Sequence, residues 1–196
     1  MSEKSITFAP ANVKDGNEHK ELRGSIMADK TKKTNAARLL DQLRIAYELI
    51  PYEVDEEYLG AEHTAEVLGQ PIERIFKTLV LRGDKTGHFV CVIPGGDEVD
   101  LKKAAKVTGN KKVEMIHVRE LLPLTGYIRG GCSPIGMKKA LPTWFHATLT
   151  DYESVFCSAG QRGLQFRLAP QDLLAAAHGT LADLVVDKAT IDNRNE

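Results

Sequence analysis

The sequence predicts a mixed α/β (α+β) fold, with a mixed, barrel-like central sheet flanked by helices. Three observations carry that expectation. Short apolar, strand-like runs outnumber helical ones, several are joined by glycine turns of hairpin length, and the helical patterns come singly between them. A chain of 196 residues, 42% hydrophobic and 27% charged, is long enough to bury a core without disulfide or metal staples. No apolar run approaches the roughly 20 residues of a membrane helix and no apolar leader opens the chain, so a cytoplasmic protein is expected.

Taken in order, residues 1–33 are polar, mixed in charge and aperiodic, and read as a disordered extension in which Met27 looks like a second natural start. A single packed domain is expected over residues 34–187, followed by a tail over 188–196. Thr34 or Asn35 caps a first helix whose apolar positions Ala36, Leu39, Leu40 and Leu43 follow helical spacing. Leu49 to Val54, interrupted by Pro51, reads as an edge strand carrying Tyr52. Thr64 to Leu68 is a short helix closed by Gly69. Ile75–Leu81 and His88–Ile93 form a hairpin through the turn Arg82–Gly87. Asp100 caps a helix that ends at Gly109. Lys112 to Ile116 reads as a strand, and Val118 to Leu122 as a helical turn stopped by Pro123. Thr143–Leu149, Ser154–Ser158 and Leu164–Leu168 read as strands, the last two joined by the glycine turn Ala159–Gly163. Pro170 opens a last helix, with Leu173, Leu174 and Ala177 on its apolar side and Gly179 at its end.

Two stretches invite a chemical reading. Thr125 to Lys139 holds four glycines and a proline among an aromatic, an arginine, a serine and a lysine pair, a mixture suited to close approach of main-chain N–H groups to a polar, phosphate-bearing ligand. Lys77 interrupts an otherwise apolar strand, where an ammonium group either occupies a water-filled site or faces solvent by alternation; both readings stay open here. The net charge of −1 hides an asymmetry. From Glu53 to Glu73 there are seven acids and no Lys or Arg, whereas Leu101 to Lys139 carries nine Lys and Arg against Glu114 and Glu120. The basic segment is a candidate footprint for a nucleic acid backbone. Cys91, Cys132 and Cys157 have no C-x-x-C or Cys/His spacing, so neither a disulfide framework nor a metal site is expected, and no cofactor motif is present. No Ser-His-Asp or Cys-His arrangement offers an enzyme nucleophile.

Six blocks carry a family resemblance: Phe76-Lys77-Thr78, Asp100-Leu-Lys-Lys-Ala-Ala-Lys106, Lys111-Lys-Val-Glu-Met115, Thr125-Gly-Tyr-x-x-Gly-Gly-x-Ser-Pro-x-Gly-x-Lys-Lys139, Ser158-x-Gly-x-Arg-Gly163 and Ala169-Pro-Gln-Asp-Leu173. In order and spacing they resemble the YbaK/EbsC family of Cys-tRNA(Pro) deacylases, from about Thr34 to Asp187. The resemblance implies the fold of the editing domain found in some prolyl-tRNA synthetases, and a trans-editing enzyme that clears cysteine from tRNA(Pro) with the substrate's own thiol as attacking group. It implies Lys77, Gly130 and Gly131 as catalytic residues, and Tyr52, Phe76, Thr78, Ser133, Pro134, Ser158 and Gly160 as substrate-binding residues. It also implies tRNA contacts from Lys102, Lys103, Lys106, Lys111, Lys112, Arg129, Lys138 and Lys139, with prolyl-tRNA synthetase as partner. Ala159, Gln165 and Cys132 depart from the family's usual residues. The alternatives are an editing deacylase for another small amino acid such as alanine, and a non-catalytic tRNA- or synthetase-binding module.

Overall fold

The computed structural model describes residues 33–187, so the expectations for residues 1–32 and 188–196 lie outside the described residues. Helix α1 (Asn35–Gln42) starts where the Thr34 hydroxyl accepts the Ala37 N–H at 3.1 Å, and it buries Ala36, Ala37 and Leu40. Leu43, expected on the apolar stripe, is instead the C-cap residue and is exposed. Strand β1 (Glu48–Pro51) pairs only with β7 (Leu164–Leu168) and ends at the proline rather than at Val54. Proline brings no N–H to a ladder, and the chain leaves the sheet after one further bond, Tyr52 N–H to the Gly163 carbonyl at 2.9 Å. Helix α2 (Ala61–Leu68) begins a turn earlier than Thr64, from the extended Gly60, and closes on Gly69 at φ +59°.

The spine of the molecule is the hairpin of β2 (Ile75–Gly83) and β3 (Gly87–Pro94), in register from Phe76 opposite Pro94 to Gly83 opposite Gly87. Helix α3 (Leu101–Thr108) is capped by Asp100, whose carboxylate accepts the N–H groups of Lys102 and Lys103. Strand β4 (Val113–Met115) returns along β2 and leads into α4 (Val118–Thr125), which runs through Pro123 instead of stopping before it. Proline here removes one N–H, whose helical partner would be the carbonyl of the exposed Arg119, so the helix continues to Gly126. Strand β5 (Thr143–His146) is shorter than the expected run to Leu149, because Ala147–Asp151 forms a 3₁₀ turn. Strand β6 (Val155–Ser158) and β7 are antiparallel. Helix α5 (Pro170–Ala177) closes on His178 in the left-handed region rather than on Gly179, and the unforeseen β8 (Thr180–Ala182) pairs in parallel with β5.

The strand order is β1-β7-β6-β2-β3-β5-β8, with β4 also on β2. One face of the sheet carries Phe76, Val80, Val90, Val92, Phe145, Cys157 and Phe166 into the larger core together with Ala36, Leu40 and Leu173. The other face carries Leu81, Phe89, Cys91 and Ile93 against Ala104 and Ala105 of α3, and Ile75 and Phe156 against Ala65 of α2. No helix among the described residues is long and apolar enough to cross a membrane.

One feature of this sheet positions the site. On the edge away from β3, β2 pairs with β6 only at Ile75 and Phe76, and with β4 only from Leu81 to Gly83. Between them the sheet is split. The Val80 carbonyl accepts the Ile116 N–H at 3.3 Å on that edge, so the two-residue period of a strand turns the Thr78 N–H and C=O into the gap.

Candidate active site

A cleft of about 360 Å³ occupies the split and reaches both faces of the sheet. That volume lies within the range of small-molecule sites. On one face it is bounded by Lys77, Ser158 and Gln165, by Tyr52, and by the start of α2 from Leu59 to Thr64. On the other it is bounded by Phe76, Thr78 and Val80 of β2, by Ile116 and Leu121, and by Cys132. Arg129 and Gly130 close it from the glycine loop.

Lys77 is half-buried, and its ammonium donates to the Gly95 carbonyl at 2.7 Å. Gly95 has to be glycine, since a Cβ there would lie 2.7 Å from the Ala61 Cβ and 3.1 Å from the Ile75 carbonyl. That close approach seats the start of α2 over the lysine. Among the described residues Lys77 meets no carboxylate, so its charge is held at the cleft wall without being neutralised.

The glycine loop is fixed by Tyr127, a buried ring whose hydroxyl donates to the Ile135 carbonyl at 2.8 Å. Gly160, at φ +95°, packs on the edge of that ring and so joins the second glycine turn to the first loop. Gly130, at φ +82°, faces Leu59 and Arg162 and presents its backbone to the cleft. Gly131 does not. Its N–H donates to the Ile128 carbonyl at 3.0 Å, and its Cα lies against the Gln161–Arg162 backbone. Ser133, Pro134 and Gly160 likewise lie outside the cleft lining. Ser133 is fully buried, its hydroxyl facing the Ile135 N–H at 3.5 Å, so these residues shape the loop rather than touch the cleft.

The cations expected to meet tRNA fall into two groups. Arg129 lies at the cleft, with the exposed Lys138 and Lys139 on the same loop. Lys111 and Lys112 sit beyond the turn end of β2, where the Asp84 carboxylate accepts both their N–H groups at 2.9 and 3.1 Å. Lys102 and Lys106 are exposed on α3, whereas Lys103 is tied to Asp183 and Asp187, both at 2.8 Å, and to the Val185 carbonyl at 2.9 Å. Those partners raise the Lys103 pKa and occupy its donors, so in this structure Lys103 clasps α3 to the segment around Asp183 and Asp187.

All three thiols are buried, and burial pushes Cys91, Cys132 and Cys157 up to about 12, far from the thiolate a nucleophile needs. Cys132 lines the cleft as a neutral, weakly polar wall. Sequence reasoning missed the cleft walls formed by Leu59–Thr64, Ile116 and Leu121, whose apolar residues carry no signal that separates a site from a core. It treated Gln165 only as a departure from a family pattern. Yet the side-chain oxygens of Thr78 and Gln165 are buried without a hydrogen-bond partner among the described residues, as is Nε2 of His63 in a small adjoining cavity.

With this geometry in place, comparison with known proteins is decisive. Residues 55–176 match the aminoacyl-tRNA editing domain. The chain belongs to that family. A Cys-tRNA(Pro)/Cys-tRNA(Cys) deacylase by assignment, EbsC of Enterococcus faecalis, is 51% identical over 152 residues, which are 78% of this chain and 93% of that one. A proline–tRNA ligase of Cupriavidus necator is 30% identical over 113 residues, 56% of this chain but only 20% of the ligase. Among solved structures, a protein assigned as a trans-editing enzyme for prolyl-tRNA synthetase superposes with a TM-score of 0.66 at 27% identity, covering 78% of this chain and 98% of its own. The match spans nearly all of the EbsC relative but only a fifth of the ligase.

Proposed function

We propose that this protein is a trans-editing deacylase that removes cysteine from mischarged Cys-tRNA(Pro), with the substrate's own thiol as nucleophile. The observation that carries the reading is a cleft that offers a held cation and open main-chain groups, while its one lining cysteine, Cys132, is a neutral, buried thiol. In this chemistry the thiol sulfur attacks the ester carbonyl, the new C–S bond forms, and the ester C–O bond breaks. The thiol proton passes to the departing ribose oxygen, releasing tRNA and a cysteine thiolactone that water then opens. Holding sulfur and carbonyl in contact exploits the high effective molarity of an intramolecular reaction. Lys77 stabilises charge on the carbonyl oxygen, and the Gly130 N–H, which has no partner among the described residues, is the main-chain donor for the oxyanion in place of the Gly131 N–H. Arg129, Lys138 and Lys139 receive the phosphates of the acceptor end, and Lys102, Lys106, Lys111 and Lys112 supply more distant charge. Prolyl-tRNA synthetase is the partner this reading implies, since its relatives carry the same domain.

The test is deacylation of tRNA(Pro) charged with Cys, Ala or Pro, and of Cys-tRNA(Cys), each with and without the synthetase. Rapid loss of Cys with retention of Pro is expected. Faster loss of Ala than Cys would move the assignment to a water-dependent alanine editor. Binding of every tRNA without cleavage would leave a non-catalytic module. Equal rates on the two cysteinyl-tRNAs in all mixtures would remove the tRNA(Pro) preference and the role of the synthetase.

A further inference from the structure

Two features of the cleft are not used by the attack just described. The first is Gln165, which is only 6% exposed, lines the cleft on the same face as Lys77 and Ser158, and has its Oε1 buried without a partner. Its position follows from register. Gln165 stands opposite Ser158 in the β6–β7 pair, while the neighbouring Phe166 and Cys157 point into the larger core on the other face. A carboxamide oxygen can only accept, and a buried acceptor left empty is costly, so the site is built for a ligand that brings an N–H or O–H donor.

The second feature is the acidic stretch from Glu53 to Glu73, which would repel a tRNA backbone but forms the α2 side of the cleft. Of its seven acids only Glu56, itself exposed, is in an ion pair among the described residues, with the half-buried Arg162 at 3.4 Å. Glu62 lines the cleft without an ion pair among the described residues, and its carboxylate folds back over Gly60 at the cleft mouth. This face therefore holds both the Lys77 ammonium and a carboxylate, and the carboxylate on the α2 wall gives a cationic ligand group a partner that a neutral hydroxyl lacks. An aminoacyl ester has one such group next to the reacting carbonyl, the α-ammonium.

We propose that Gln165 accepts a hydrogen bond from the α-ammonium group of the aminoacyl ester, with the Glu62 carboxylate on the facing α2 wall, and so makes the enzyme selective for a free amino terminus. The assignment rests on the deacylase reading and deepens it. Its consequence is discrimination against N-blocked esters such as peptidyl-tRNA, which carry neither the charge nor the full set of N–H donors.

The experiment compares Cys-tRNA(Pro) with 3-mercaptopropionyl-tRNA(Pro), which keeps the thiol and ester but lacks the amine, using wild type, Gln165→Met and Gln165→Glu. The intrinsic reactivities of the two esters differ, but that difference cancels when the cysteinyl to desamino ratio of kcat/KM is compared between enzymes. A hydrogen bond to a charged group corresponds to about a ten- to hundredfold change in that ratio. Gln165→Met, of nearly the same volume, should lower the ratio by at least about tenfold, with the loss confined to the cysteinyl substrate. Gln165→Glu should hold or raise the ratio. Thermal unfolding of each variant reports folding independently, and if Gln165→Met is unfolded the Glu variant alone decides. Equal losses on both substrates, or a ratio unchanged in a folded Met variant, or a fall of the ratio in the Glu variant, would overturn the proposal. A wild-type enzyme that cleaves neither ester would instead overturn the deacylase reading itself.

Discussion

At the turn end of the β2–β3 hairpin, Asn110 alone makes four hydrogen bonds, accepting the N–H groups of Lys85 and Thr86 and donating to the hydroxyls of Thr86 and Thr108. Beside it Arg82 bridges Glu114 at 2.8 Å and Glu120 at 3.1 Å, and the Asp84 carboxylate caps two N–H groups that hold its pKa below the ordinary value. At the opposite end of the same hairpin, the side-chain oxygens of Thr78 and Gln165 are buried without partners, and Lys77 meets a carbonyl rather than a carboxylate. Both ends flank the same hairpin and both are rich in polar residues. The difference lies in satisfaction. Where polar groups are matched within the chain they hold the fold, and where they are left unmatched around a cleft they wait for a ligand.

The sharpest way to break this comparison is to substitute one residue at each end and ask which property changes. Lys77→Ala should lower kcat/KM on Cys-tRNA(Pro) by at least about tenfold, roughly 1.4 kcal/mol of transition-state stabilisation, while circular dichroism and the unfolding midpoint stay near wild type. A folded, fully active variant would place the lysine among solvent-facing residues. At the turn end the effects should invert. Asn110→Ala removes four hydrogen bonds at once, those to the Lys85 and Thr86 N–H groups and to the Thr86 and Thr108 hydroxyls, and should cost about 2–4 kcal/mol in denaturant unfolding with kcat/KM per folded molecule unchanged. Loss of activity in a folded Asn110→Ala protein would show that the matched end is not merely structural.

A smaller effect is expected from pH. His146 is buried and accepts the Leu184 N–H at Nδ1, at 3.1 Å, so burial disfavours its charged form and lowers its pKa from the ordinary 6.5, against an opposing pull from the Asp183 carboxylate. The unfolded chain therefore takes up the proton first as pH falls. The His146 contribution to stability is complete above about pH 6.5 and is lost progressively on acidification below that value. The unfolding temperature should fall from pH 7 to pH 5, and His146→Asn, which keeps an acceptor without the titration, should flatten that slope. An unchanged slope would remove His146 from the account.

Much of this was legible in the chain because local chemistry and tertiary demand agree. Thr34, Gly69, Asp100 and Gly109 cap helices as their side chains or their freedom of φ require, and the β2–β3 hairpin follows from two apolar runs and a glycine turn. The family blocks were also visible, because glycines in tight contacts leave a mark in sequence. Illegible were features decided by distant partners. Lys77 in an apolar strand and Lys103 in a lysine-rich helix both read as candidate site cations, and only the fold brings Gly95 to the first and Asp183 and Asp187 to the second. Strand β8 has no apolar run and exists because Trp144, Phe145 and His146 offer an edge to pair with. The split in β2 belongs to no residue at all. It arises where β6 turns away after Ser158 and before β4 arrives at Leu81.

In the proposed reaction the cleft supplies position and charge, and the substrate supplies the thiol. Cys132 is the one cysteine that lines the cleft, so a single variant isolates the question. Single-turnover deacylation of Cys-tRNA(Pro) and Ser-tRNA(Pro) should be measured with wild type and Cys132→Ala. Both enzymes are expected to clear cysteine at closely similar rates and to leave serine almost untouched, because a hydroxyl of nearly the same shape is a far weaker nucleophile at neutral pH. A folded Cys132→Ala protein that loses activity on Cys-tRNA(Pro), together with an acyl-enzyme trapped on wild-type Cys132, would contradict the account.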